Sequence, residues 1–462
     1  MVNILLPITF FSKTYTNSLT ETTAMVAFPV FILIILIQLY RFPTRMNRII
    51  PSLNAVILTA FFWVCQLLVM LVSYLKIGET TVTSGIVHSV ILLGGWTITV
   101  YLAWAIIQLT INDVNDERKF IKSGLIGLII YILIVILPQL MVMFHVSRLT
   151  SYVDHIGHLF ERHWRMHEGY DFYKEGSYVT TEHRVNGFEP EAAFLANLLG
   201  VCYLPIVIGL TTTKQIFWRA LRSRTMNIIF NSLLAFGILL ILLLVKTTTG
   251  ILTAGLGFLI WLCWSRGRQR LVLLLLAAAG LVTIGIAYVK FDAIHTLFNQ
   301  FLFNKQYTDN RLGGSIGLAL TVLSHPFMGV GYGFTSYFTL QNVPLSTTQN
   351  FEFQQVYSQF GYPNLSEVLG WFASFGLIIM LPALWLLGKI IAKSFITQRY
   401  IKLDNDPNYW WDRGLHISFI TMIILATFSS IFVIQIFLWP YLLMFFFYRR
   451  HIQRLEQEYG IC

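Results

Sequence analysis

The sequence predicts an all-α, polytopic integral membrane protein: one domain over residues 1–462, with about eleven transmembrane helices, in a range of roughly ten to twelve. Three observations predict it. The chain is 56% hydrophobic and only 12% charged, against roughly 25% charged in soluble domains. Apolar runs long enough to cross a hydrocarbon layer of ~30 Å recur along nearly its whole length. Basic residues cluster in alternate loops, as the positive-inside rule requires.

The elements follow in order. Spans are expected at 22–40, 51–74, 85–110, 123–145, 191–211, 227–245, 250–264, 271–289 and 364–388. The run 415–448 enters and leaves at basic ends, so it must cross twice, with a turn expected near Ser429 and Ser430. Residues 1–12 are short for a further span. The N-terminal stretch has no basic residue before its apolar part and does not read as a cleaved signal peptide.

Orientation comes from the charges. Of the 32 Lys and Arg, 21 fall in one alternating set of loops, for example Arg41, Arg45 and Arg48, then Lys214, Arg219, Arg222 and Arg224, then Arg449, Arg450 and Arg454. That set is predicted cytoplasmic, together with the C-terminus. The net charge of +10 is therefore a topology and anionic-lipid signal, with the bilayer as partner and no nucleic acid. The four cysteines, Cys65, Cys202, Cys263 and Cys462, have no CxxC spacing and read as small hydrophobes.

Ionisable residues deep in a span mark ion paths, and the chain has almost none. His88, Glu191, Lys246, Lys290 and Glu367 all fall at span ends. This disfavours a coupled transporter. Charge gathers instead in two long loops on the outer face, 146–190 and 290–363, where function is expected.

The first loop holds His155, His158, His163 and His167 with Glu161 and Asp171. Their spacing matches no zinc motif, and they read as a solvated interfacial helix. Trp164, Tyr170, Phe172, Tyr173 and Tyr178 could stack on sugar faces or anchor the loop at the headgroups. The loop closes on Arg184, Glu189, Pro190 and Glu191, with Pro190 expected in the first turn of the next span and the carboxylates at a helix N-terminus. The second loop carries Asp309, Asn310 and Arg311, then an apolar stretch Leu312–Leu323 too short to span. His325, Pro326 and the turn Gly329, Gly331, Gly333 follow. Alternate glycines permit close backbone approach, which suits a phosphate or sugar contact.

The segment RLGGSIGLALTVLSHPFMGVGYGFTSYF with LSEVLGWFASFGLIIMLPALWLL resembles the C-terminal signature of the O-antigen polymerase and ligase superfamily of bacterial polysaccharide enzymes. HRVNGFEPEAAFLA resembles that family's arginine, Gly-Phe and Glu-Pro motif, and TTTGILTAGLGFLI with WSRGRQR its intervening helix pair. The resemblance covers roughly residues 180–390. It implies a membrane glycosyltransferase of the bacterial cytoplasmic membrane, active on the extracytoplasmic side. Such an enzyme moves a glycan from polyprenyl (undecaprenyl) pyrophosphate to the terminal hydroxyl of another lipid-linked repeat. A chain-length regulator and a flippase of the same pathway are the implied partners.

The resemblance assigns Arg184 and Arg311 to the leaving pyrophosphate, whose charge arginine forks suit. No DxD-type motif lies in the outer loops, so no metal and no cofactor are expected. Glu189 is the first candidate for acceptor base and His325 the second. Glu191, Gly329, Gly331, Gly333, Asn364 and Glu367 are candidate substrate-binding residues. Family ligases carry a His-Asn pair whose positions fall here on Leu365 and Ser366. That favours a polymerase over the ligase alternative; the alternative from another class is a transporter or flippase of the same lipid-linked sugars.

Overall fold

In a computed structural model of the chain, the described residues are 27–78, 80, 82–83, 85–161, 171–221, 223–290, 310–404, 406–432 and 438–461. Their regular structure is all helical, with no strand among them. Eight helices are long and apolar enough to cross a membrane. They are α2 (Leu53–Ile77), α3 (Ile86–Thr110), α4 (Val114–Met143), α7 (Ala192–Thr212), α8 (Arg224–Leu244), α10 (Arg268–Lys290), α14 (Glu367–Asp404) and α15 (Tyr409–Phe432). Two shorter apolar helices join them, α1 (Ala27–Arg41) and α9 (Thr248–Trp264), and α16 (Leu438–Glu458) closes the chain. The loops hold α5 (Thr150–Phe160), α6 (Tyr178–Glu182), α11 (Asn310–Ser324), α12 (Thr335–Asn342) and α13 (Leu345–Thr348).

The apolar window of α7 is wholly buried, and α8, α9 and α15 pack around it. Small residues set the closest crossing: a Cβ on Gly209 would overlap the Gly414 carbonyl of α15. Without a hydrophobic driving force inside lipid, such close backbone approach supplies the packing.

Prolines shape two of the helices. In α4 a π-helical turn, Ile132–Ile136, precedes Pro138, which has no N–H for the carbonyl four residues earlier. That carbonyl, Ile134, accepts instead from the Tyr152 hydroxyl of α5 at 3.0 Å. In α7 the π turn Leu198–Tyr203 precedes Pro205 in the same way.

The turn expected near Ser429 and Ser430 does not fall on those serines: α15 runs through both to Phe432, and residues 433–437 lie outside the described residues. Ser429 is buried and donates its hydroxyl to Asn197 Oδ1 of α7. A serine with a partner across the helix interface has no need of a turn. Pro190 is also corrected, since α7 starts at Ala192 with Glu191 as its N-cap. The expectations for residues 1–12, His163, His167, Trp164, Tyr170, Asp309 and Cys462 lie outside the described residues.

The second loop folds back into the bundle. Helices α11 and α12 pack together, and α11 lies on α14; the turn between them descends among α2, α3 and α14. It meets α2 at Gln66, Met70 and Ser73, roughly 6 to 16 Å short of that helix's end at about 1.5 Å rise per residue. Irregular backbone at such depth persists only where protein satisfies it. Here Val330 N–H donates to Ala373 O at 2.8 Å and Gly331 N–H to Ser374 O at 3.0 Å. In return Leu377 N–H donates to Pro326 O at 2.8 Å and Ile378 N–H to Phe327 O at 3.0 Å. Ser73 Oγ donates to Val330 O at 2.6 Å, and Gln66 Oε1 accepts from Tyr332 N–H at 3.1 Å.

This exchange is possible because α14 is broken at Gly376, where φ is +65°. The break frees two carbonyls and two amides, and the turn takes all four. A Cβ at Gly376 would overlap Phe327 O and the Gly329 amide. Gly376→Ala therefore combines backbone strain, of order 1–3 kcal/mol, with a clash at the crossing. The expected result is lower thermal stability in detergent and new proteolytic cleavage within 326–333; wild-type stability and protection would contradict the crossing.

Candidate functional site

The first motif, Arg184 to Glu191, is held from several sides. Gln139 of α4 clasps Gly187, donating from Nε2 to its carbonyl and accepting its N–H at Oε1, both at 2.8 Å. Phe188 N–H donates to the Tyr131 hydroxyl at 2.9 Å, and the Tyr173 hydroxyl donates to Pro190 O at 3.0 Å. Asn186 Nδ2 donates both to Glu161 Oε1 and to Glu189 O. Val185 to Pro190 are all buried, and these bonds supply the partners that buried backbone requires.

Glu161 comes from the end of α5 and also accepts from Tyr178 N–H at 3.3 Å. Of the histidine group, His155 and His158 are exposed on α5. Asp154 on the same helix takes the hydroxyls of Ser177 and Thr180, at 2.7 and 3.0 Å. This agrees with a surface helix whose acidic side chains brace the loop.

Glu189 has no exposed surface. Its carboxylate is close enough to act electrostatically on Tyr131, Cys202 and Tyr441. Glu191, the half-buried N-cap of α7, and Arg184 both act on the Tyr178 phenol, which burial pushes above its ordinary range.

Glu367, the first residue of α14, is 8% exposed and acts on the hydroxyls of Tyr332 and Tyr441. Glu189 and Glu367 thus both act electrostatically on one tyrosine of α16. Asn364 packs over Gly370, with its Oδ1 buried and lacking a hydrogen-bond partner among the described residues.

Arg311 is exposed in the first turn of α11. Its neighbour Asn310 is buried and fixed: Nδ2 donates to Glu352 Oε2 at 2.6 Å and to Asn350 Oδ1 at 3.2 Å, and its carbonyl accepts from the Tyr362 hydroxyl at 2.5 Å. His325 follows α11, half-exposed, with Nδ1 3.0 Å from Ser324 Oγ and its ring edge-on to Phe338. Burial, then the Lys76 ammonium, hold its imidazole below the ordinary range.

The glycine turn, expected to suit a phosphate or sugar contact, packs against protein. Gly329, Gly331 and Gly333 have φ of +71°, +87° and +84°, and a Cβ on each would meet protein: the Ala373–Ser374 backbone, Met70 and Ser89 respectively. The Gly331 amide is already spent on Ser374. These glycines let the turn enter the bundle. Between them Tyr332 stacks on Phe375, with ring centroids 6.2 Å apart and planes 7° from parallel.

Sequence reasoning missed Tyr131, Gln139, Tyr332 and Tyr441, which look like ordinary core or loop residues until the chain folds. It also missed a buried ionic group at the opposite ends of the helices. Glu117, Asp412 and His451 each bring a ligand atom within 4.8 Å of the others. The Arg454 guanidinium fills that space, 2.9 Å from Glu117 Oε1 and 2.8 Å from Asp412 Oδ1, and Trp411 Nε1 donates to Glu117 Oε2 at 2.9 Å.

The chain matches no protein-family model and no curated protein.

Proposed function

We propose that the protein is a membrane glycosyltransferase, a polysaccharide polymerase that extends polyprenyl-pyrophosphate-linked repeats on the outer face of the bacterial cytoplasmic membrane. The observations that carry it are the first motif, whose Val185 to Pro190 are buried and held by Gln139 and Tyr131 of α4, and Arg311, exposed in the first turn of α11 in the second loop. Both loops belong to the segments that resemble the polymerase and ligase superfamily. The proposed topology counts α1, α9 and α16 with the eight long helices, with the N-terminus outside and the C-terminus in the cytoplasm, where Arg449, Arg450 and Arg454 favour it.

In the proposed reaction the acceptor hydroxyl oxygen attacks the anomeric carbon of the donor glycan. The carbon–oxygen bond to the lipid pyrophosphate breaks, and the pyrophosphate departs with the electron pair. Arg184 and Arg311 stabilise that charge. The hydroxyl proton passes to a base, and His325 suits this better than Glu189, because it is solvent-accessible whereas Glu189 is enclosed. Ser324 Oγ donates to Thr321 O at 3.0 Å and so accepts from Nδ1–H, which leaves Nε2 to take the proton.

A broken helix crossed by a re-entrant turn is also the build of many transporters. In those, the freed backbone groups bind the cargo. At Gly376 all four groups are used within the protein, which favours a structural crossing and leaves transport the second reading.

The test is incubation of the purified protein, in lipid nanodiscs, with lipid-linked repeat units, with and without chelator. A ladder of extended glycan, unchanged by chelator, is expected. Transfer only to a different acceptor would replace polymerase by ligase, and absence of any glycosidic bond formation would overturn the reading.

A further inference from the structure

Three arginines from distant parts of the chain converge on the carboxyl end of α3. Arg45 Nη1 donates to Leu109 O at 3.2 Å, Arg450 Nε to Ile111 O at 3.0 Å, and Arg48 Nη1 to Asn112 Oδ1 at 2.5 Å. Arg45 and Arg48 lie on the 3₁₀ turn Pro43–Arg48, which follows α1, and Arg450 lies on α16. Hydrogen bonds alone thus gather three guanidinium groups around the four residues from Leu109 to Asn112.

Helix capping explains part of this. α3 has no basic residue in its own last turn, and its final carbonyls need donors and favour positive charge. One N–H from each arginine meets that need, whereas a guanidinium has five. Among the described residues no acceptor lies on the Nη2 of any of the three, and none of them forms an ion pair. The neighbouring carboxylates are committed elsewhere. Asp113 Oδ1 accepts the Asp116 N–H at 2.8 Å, Asp116 accepts from Asn112 and Lys119, and Glu117 accepts from Arg454 and Trp411.

The setting is also apolar. The turn Pro43–Arg48 buries none of its residues, and Phe42, Met46 and Ile50 are 45%, 58% and 58% exposed. The Arg45 guanidinium carbon lies 4.1 Å from the centroid of the Phe42 ring. The Tyr101 hydroxyl donates to Ile49 O at 3.2 Å and fastens the segment to α3. Cations with open donors beside exposed apolar side chains match a ligand that carries a phosphate and acyl chains together. A soluble phosphate would leave the apolar half unused.

We infer that Arg45, Arg48 and Arg450 form a discrete binding site for the headgroup of an anionic phospholipid. Its phosphodiester takes the open guanidinium N–H groups, and Phe42, Met46 and Ile50 lie against its acyl chains. A choline headgroup is disfavoured, since its own cation would meet three others. The positive-inside rule predicts only a diffuse attraction over the basic loops; convergence on the end of α3 makes one place better than the rest. The site is independent of the glycosyltransferase reading.

Full-length protein in detergent is titrated in parallel with phosphatidylglycerol, phosphatidylcholine and glycerol phosphate, and bound ligands are counted by native mass spectrometry. The wild type is expected to bind its first phosphatidylglycerol roughly 10-fold more tightly than phosphatidylcholine. Arg48→Gln, at an exposed residue, is expected to weaken that first binding by roughly 10-fold, and Arg48→Gln with Arg450→Gln by on the order of 10²-fold. Arg48→Lys keeps most of it. Arg266→Gln with Arg268→Gln removes two exposed charges from another loop of the basic set and should leave the first binding unchanged. A loss in that control equal to the loss in the double variant would overturn the inference in favour of a diffuse basic surface. Equal affinity for phosphatidylcholine would overturn it as an apolar contact, and equal affinity for glycerol phosphate as a site for a soluble anion. If the arginines only cap α3, Arg48→Gln lowers thermal stability equally with and without phosphatidylglycerol and leaves the affinity at the wild-type value, which would overturn it too.

Discussion

Arg311→Ala is expected to lower chain extension by on the order of 10² to 10³-fold, the usual loss when a fixed donor to developing charge is removed. The folded yield should not change. Arg311 is exposed, whereas the start of α11 is held by its neighbour Asn310 through Glu352, Asn350 and Tyr362. The Asn310 bonds are untouched when the arginine is truncated. Arg311→Lys should recover part of the rate, since it restores the charge without the planar fork. Rates are to be read as ladder formation per folded molecule. An Arg311→Ala protein that extends glycan at the wild-type rate would remove Arg311 from the mechanism.

Much of the bundle was legible in the sequence because membrane crossing depends on local quantities, the length and apolarity of each run. All eight long helices fall on expected spans. The misplaced turn at Ser429 shows the limit: two serines in an apolar run look like a break, but the Asn197 amide that accommodates Ser429 lies 232 residues away. The glycine turn repeats the lesson. Alternate glycines signal close approach, and the sequence does not say to what; the partners are Met70, Ser89 and the backbone at Gly376. Glu189 was legible as a motif residue, yet its enclosure depends on the distant α4, whose Tyr131 and Gln139 hold the neighbouring Phe188 and Gly187.

The buried ionic group at the other end of the bundle was hidden for the opposite reason: charge is expected at cytoplasmic loops, so Glu117, Asp412 and Arg454 attracted no attention. Both carboxylates have no exposed surface and the Arg454 side chain is 9% exposed. Arg454→Met should therefore cost about 3–5 kcal/mol, because it strands two buried charges. The check is thermal unfolding in detergent, followed through Trp411, whose indole N–H donates to Glu117. Adding Glu117→Gln and Asp412→Asn to Arg454→Met should recover most of the loss, since replacing a whole buried ionic group is often close to neutral. A single Arg454→Met as stable as wild type would mean that solvent reaches the group. The group ties α4, α15 and α16 together, and α4 also carries Tyr131 and Gln139, which grip the first motif. Arg454→Met should accordingly lower the population of folded enzyme while leaving extension per folded molecule unchanged at low temperature. A fall in both would show that this end of α4 also sets the geometry of the motif.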